Sequence, residues 1–221
     1  MTASESRTVS VALPRHGGEG LLGLPAGTPH GIVLFAHGSG SSRHSPRNAF
    51  VAAALQRAHF ATLLFDLLSE REASDRANVF DIALLSERLA AAADWAANTV
   101  AVRGLPLGFF GASTGAAAAL MAAATRKDVR AVVSRGGRPD LAGDALEHVE
   151  APTRLIVGGN DPDVLDLNRM AYGRLRCERR LDVVPGATHL FEEPGMLEVV
   201  VDLAREWFRQ HLTGHSSGGG K

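Results

Sequence analysis

The sequence is poor in cysteine: Cys177 stands alone among 221 residues, so no disulfide can close within the chain. A reducing, cytoplasmic setting is the expectation. There is no charge excess either. The formal net charge is -1, and the strongly basic face of a nucleic-acid binder is missing. No stretch approaches the roughly 18 continuous apolar residues of a membrane helix. The opening "MTASESRTVS" has no apolar core, so no signal peptide is expected. A Gly-x-x-x-x-Gly-Lys-Ser/Thr phosphate loop is absent. The carboxylates of 160–163 and 191–194 have no metal-ligand spacing beside them, so no metal and no cofactor is expected.

What is present suits one compact domain over residues 1–213, with 45% hydrophobic residues and a flexible tail, "GHSSGGGK", over 214–221. Short branched apolar runs predict eight strands, at 8–13, 18–25, 31–37, 61–66, 105–111, 129–137, 153–159 and 179–186. Helical spacing falls between them, at 45–60, 78–97, 113–125, 162–175 and 194–212. Ser45 reads as the cap of the first helix, with Pro46 in its first turn. Such alternation predicts an α/β fold, a mainly parallel sheet covered on both faces.

Chemistry concentrates at four places. In "PLGFFGASTGAAAAL" an apolar strand ends in Gly-Ala-Ser-Thr-Gly and a helix begins. A serine at such a strand–turn–helix junction is a nucleophile elbow, so Ser113 is the candidate nucleophile. Gly111 and Gly115 are expected there because side chains would strike neighbouring backbone. Gly214-His215-Ser216-Ser217-Gly218 matches the same pattern, but it follows no strand and opens no helix.

A serine hydroxyl needs a base, and the base needs an orienting carboxylate. Downstream, "LIVGGNDPDVL" places Asp161 past the end of one strand, and "VVPGATHLFEEPG" places His189 past the next. Asp163 and Asp166 remain alternatives for the acid, further along and in helical sequence. His37 precedes the serine, and His59, His148 and His211 sit in turn, helix or surface contexts. The fourth place is "FAHGSG", a strand ending in His-Gly and small residues. The backbone N–H groups of Ser39 and Thr114 are the expected oxyanion donors, and His37 is expected to bond backbone.

Taken in order, "HGSG", "GASTG", "GGND" and "PGATHLF" resemble the dienelactone hydrolase-like branch of the α/β-hydrolase superfamily, from about residue 20 to about residue 212. The resemblance implies an α/β-hydrolase fold and ester chemistry. It departs at one point: dienelactone hydrolase uses a cysteine nucleophile, and Ser113 stands there in this chain. Similar sequences also occur joined to a phosphoribosyltransferase domain, of which these 221 residues show no sign.

Fewer than 20 residues separate the strands near 129–135 and 153–158, so no cap domain and an open pocket are expected. Arg135 and Arg138 past one strand, and Arg43, His44 and Arg47 near the oxyanion loop, are candidates to clamp an anionic substrate group. The competing reading pairs them with Asp140 and Asp144 or leaves them solvated. The arginines of "RMAYGRLRCERR" read as a solvated helix face. The function these readings imply is hydrolysis of small carboxylic esters or lactones by Ser113, His189 and Asp161. The alternatives are acyl transfer to another acceptor or to peroxide, and a non-catalytic binding module. The expected partner is a small molecule, not nucleic acid or membrane, with a homodimer left open.

Overall fold

Eight strands form one sheet in a computed structural model of the chain, which describes residues 6–13 and 18–213. The tail and its Gly-x-Ser-x-Gly match lie outside the described residues. The strands are β1 (Arg7–Leu13), β2 (Gly18–Leu24), β3 (Gly31–Ala36), β4 (Phe60–Phe65), β5 (Leu107–Ala112), β6 (Val129–Arg135), β7 (Thr153–Gly158) and β8 (Arg179–Val184). Their order is β1-β2-β4-β3-β5-β6-β7-β8. β1 pairs antiparallel with β2, and β2 antiparallel with β4; every later pairing is parallel. The carboxyl ends of β5, β6, β7 and β8 therefore lie side by side on one rim.

Helices cover both faces, as a parallel sheet requires. On one face α4 (Ile82–Asn98) and α5 (Thr114–Thr125) pack over Leu34, Leu63, Phe109 and Leu155. On the other, α1 (Pro46–Arg57) and α7 (Met196–Leu212) pack over Phe35, Phe110, Val133 and Ile156. α5 is apolar all round because it is itself covered: Ala116 to Ala119 are fully buried, and a 3₁₀ segment, Pro139–His148, lies against it. That segment is all that stands between β6 and β7, so there is no cap domain there. α6 (Pro162–Arg174) joins β7 to β8.

Capping explains where the elements start. Ser45 caps α1 through a 3.4 Å bond from the Asn48 N–H, with Pro46 in the first turn. The helix expected over 78–97 is broken. A short α3 (Arg76–Val79) comes first, and Asp81 then accepts the Leu84 N–H at 3.0 Å and starts α4 anew. A second short helix, α2 (Glu70–Ala73), is held by a Ser69–Glu72 capping box that the apolar periodicity does not reveal. The arginine run is half helix at most: α6 ends at Arg174, and Arg179 and Arg180 open β8. No helix among the described residues is long and apolar enough to cross a membrane.

Candidate active site

Ser113 stands between β5 and α5 with φ 50° and ψ -124°. A residue with a side chain rarely holds a positive φ; the strain is of order 1–3 kcal/mol, and it lifts the hydroxyl above the sheet edge. Close packing enforces the turn. A Cβ on Gly111 would lie 2.4 Å from Ala116 Cα, and one on Gly115 would lie 2.1 Å from the Ala36 carbonyl oxygen. Both collisions are with backbone, so neither relaxes by rotating a side chain.

Two strands away, Asp161 and His189 meet. His189 Nδ1 lies 2.7 Å from Asp161 Oδ2, a charge-assisted distance, with the carboxylate side chain 16% exposed and the imidazole 37%. Asp163 and Asp166 are exposed on α6, and Asp166 bonds Arg169 at 2.8 Å, so the geometry pairs His189 with Asp161. Backbone ties hold the two loops together. Asn160 donates from its N–H to Ala187 O at 2.9 Å and from Nδ2 to Gly186 O at 3.0 Å. Phe191, buried at φ 56°, anchors the far side of the His189 turn.

The end of β6 fills the gap between Ser113 and His189. The Ser113 N–H donates to Arg135 O at 3.4 Å. The next residue, Gly136, has φ 50°, and a Cβ there would lie 2.8 Å from His189 O and 3.6 Å from its Nδ1. Only a glycine lets the histidine loop descend this far. Among the described residues Ser113 Oγ makes no hydrogen bond, to His189 or to any other group. Catalytic bonds often tighten only when substrate is bound.

The loop expected to supply an oxyanion donor is tied to the start of α5. The Ser39 N–H is occupied, donating to Thr114 Oγ1 at 3.1 Å. The Thr114 N–H opens α5, where a helix leaves its first amides without intrahelical acceptors. His37 bonds backbone on both ring nitrogens: Nδ1 lies 3.0 Å from Gly38 O, and Nε2 accepts the Leu67 N–H at 3.2 Å. That pattern places the proton on Nδ1, and burial pushes the imidazole below its ordinary pKa.

The five clamp candidates part company, and Arg47 donates to Glu192 at 3.0 Å. Arg138 is held by Asp140 through two bonds of 2.9 and 2.8 Å, and Asp144 pairs with Arg174 instead. Arg43 is held by Asp66 and, at 2.8 Å, by Glu19. Both are paired locally with carboxylates, Arg138 with the Asp140 of the competing reading. His44 is exposed. Arg135 alone among them is buried, 7% exposed, and no carboxylate among the described residues pairs with it.

A cavity of about 880 Å³ opens beside the oxyanion loop, lined by Ser39 and Thr114 on one side. Arg43 and His44 lie at its rim, and its apolar wall is Leu67, Leu68, Val79, Phe80 and Leu85. Apart from Leu85 of α4, the wall comes from the segment between β4 and α4, which carries no catalytic motif and so goes unnoticed in the sequence. Its Leu67-Leu68 pair next to a strand end is the one signal that points to it.

No family model matches the chain. It is 62% identical over 192 residues to "Putative phosphoribosyl transferase Rv0571c" of Mycobacterium tuberculosis strain H37Rv, a match covering 86% of this chain but 43% of that protein. The chain thus spans less than half the length of that curated relative. Among solved structures it is similar to a dienelactone hydrolase from Anabaena variabilis, at 52% identity and TM-score 0.87, covering 94% of this chain and 98% of the other. It also superposes on Est1E from Butyrivibrio proteoclasticus at TM-score 0.78, covering 94% and 99% of the two chains, where 15% identity reflects the fold alone.

Proposed function

Because the chain belongs to the dienelactone hydrolase-like family of the α/β hydrolases, we propose that it hydrolyses small carboxylic esters or lactones through an acyl-enzyme on Ser113. The observation that carries this reading is the 2.7 Å Asp161–His189 pair, on the same strand rim as a serine at φ 50°. The phosphoribosyl transferase name belongs to a protein of which this chain matches 43%.

In the proposed mechanism substrate draws Ser113 Oγ and His189 Nε2 into a hydrogen bond. Oγ attacks the carbonyl carbon while Nε2 takes its proton. Asp161 keeps the Nδ1–H tautomer in place and stabilises the imidazolium. The carbonyl π electrons move onto oxygen, which the Thr114 N–H receives. The Ser39 N–H becomes the second donor once the Thr114 hydroxyl turns away. One such donor is typically worth about 2.7–4 kcal/mol in the transition state. As the tetrahedral intermediate collapses, the leaving alkoxide takes the proton from Nε2. Water, deprotonated by the same nitrogen, then attacks the acyl carbon and releases Ser113 and the acid.

A fluorophosphonate reagent and a short-chain nitrophenyl ester test this together. The wild type should be labelled and should turn over the ester, and Ser113→Ala should do neither. Equal turnover by Ser113→Ala, or an unlabelled wild type, rejects the reading.

A further inference from the structure

Arg135 is out of keeping with the rest of the core. It ends β6, in register with Ala112, the residue before the nucleophile. Its side chain runs on the α1 face of the sheet, where Nη2 reaches Asn48 Oδ1 in the first turn of α1 at 3.5 Å. Nε and Nη1 are buried and meet no acceptor among the described residues. A buried arginine normally has a carboxylate partner. The charge that acts on it is instead another cation, Arg47, and burial together with Arg47 pulls the Arg135 pKa down to about 10. That still leaves it charged at neutral pH.

The contrast with Arg154 is instructive. Arg154 is also buried, but Asp182, Glu206 and the Leu203 carbonyl satisfy it. Among the described residues, an acidic group reaches this cluster only through Arg47. Glu192, exposed on the His189 loop, bonds Arg47 Nη1 at 3.0 Å, and Arg47 Nε is itself buried without a partner. Two guanidinium groups thus converge on the first turn of α1, whose N-terminal dipole also favours negative charge. The one ion pair there joins Arg47 to a surface carboxylate, and Arg135 has none among the described residues.

We propose that Arg135 and Arg47, with the first turn of α1, form a subsite for a small oxyanion, a carboxylate or phosphate group carried by the substrate beside Ser113. The inference rests on the hydrolase reading for its substrate and deepens it. Arg47 exchanges Glu192 for the incoming anion, and Arg135 meets that anion with the N–H groups now unpaired. Specificity then comes from the α1 side of the nucleophile, while the cavity on the opposite side takes the uncharged part of the molecule.

Two measurements test the site, one independent of catalysis. Inorganic phosphate and acetate are titrated against the thermal midpoint of the full chain. The expected result is a rise with at least one of them in the wild type, lost in Arg135→Met and in Arg47→Gln. Nitrophenyl esters with matched acyl chains ending in methyl, carboxylate or phosphonate give the second readout. The ratio of kcat/KM for the preferred anionic ester to that for the methyl ester should exceed one in the wild type. It should fall about 10- to 100-fold in either variant, the effect of losing one or two charge-assisted hydrogen bonds. The carboxylate and phosphonate arms tell which anion is meant. Arg138→Gln, whose charge Asp140 already holds, should leave the ratio unchanged. A wild type with no anion-dependent stabilisation and no anionic preference overturns the subsite. So does a preference that survives both variants. Anion stabilisation that depends on Arg135 in a protein without Ser113-dependent turnover upholds the subsite and rejects the hydrolase reading.

Discussion

At the scale of single residues, the proposed chemistry turns on a histidine whose tautomer is set by its neighbour. Asp161 lies 2.7 Å from His189 Nδ1, so Asp161→Asn keeps the shape and presents the wrong hydrogen-bonding group. The expected outcome is a fall in kcat of about 10³- to 10⁴-fold with near-normal folding, read by ester turnover beside circular dichroism. Thr114 gives a subtler case. Its hydroxyl tethers the Ser39 N–H at 3.1 Å, and Thr114→Val removes the tether. Because that N–H must leave the hydroxyl to reach the oxyanion, Thr114→Val should hold or raise kcat while Thr114→Ser stays near wild type; a roughly tenfold loss in Thr114→Val alone would refute the release of Ser39 and make the bond a positioning tether. The nucleophile, acid and base candidates were legible because each follows a strand end in a tell-tale short string. The state of each arginine was not. Arg135 and Arg138 stand three residues apart on one chain, yet one is buried without a carboxylate and the other is held by Asp140.

At the scale of elements, the elbow is a packing solution between β3, β5 and α5. Gly115→Ala would drive a Cβ to 2.1 Å from the Ala36 carbonyl oxygen, at the root of the oxyanion loop. Relief requires α5 or β3 to move, at a cost of about 3 kcal/mol. The thermal midpoint should drop by roughly 6–12 °C, with turnover reduced as well. The segment bearing α2 and α3 builds the apolar wall of the cavity. Phe80, 47% exposed and capped by Arg76 at 5.6 Å, is its outermost ring. Phe80→Ala should raise KM for hexanoate esters roughly fivefold relative to acetate esters, the effect of losing about 1 kcal/mol of apolar contact. A uniform change across chain lengths would place the acyl chain elsewhere. This wall escaped the sequence reading because its helices are short and set by caps, and apolar periodicity registers only longer ones.

At the scale of the whole molecule, the buried histidine makes stability depend on pH. Burial holds His37 below its ordinary value of 6.5, with Asp66 at 3.9 Å and Gly38 O opposing the shift. His211 is also lowered, by burial first, with Glu178 opposing and Arg180 assisting. A depressed histidine means that the unfolded chain binds more protons just below pH ~6.5, so stability is full above that pH and declines as the solution is acidified. The thermal midpoint should therefore fall between about pH 7.5 and about pH 5.5. The slope should shrink in His37→Gln, leaving the share due to His211. An unchanged slope would mean that His37 is not the group responsible.

The sequence by itself determined the alternation of strands and helices, the elbow, and the order serine, aspartate, histidine. These depend on local rules: branched apolar runs extend, caps start helices, and only glycine fits where backbones nearly touch. The tertiary structure alone decided which charges cancel, which amide is already occupied, and which wall lines the cavity beside Ser39 and Thr114. Those outcomes depend on distances between groups far apart in the chain. Arg135 and Asn48 are separated by 87 positions, and only the folded sheet brings the guanidinium to the first turn of α1 and leaves it without a carboxylate.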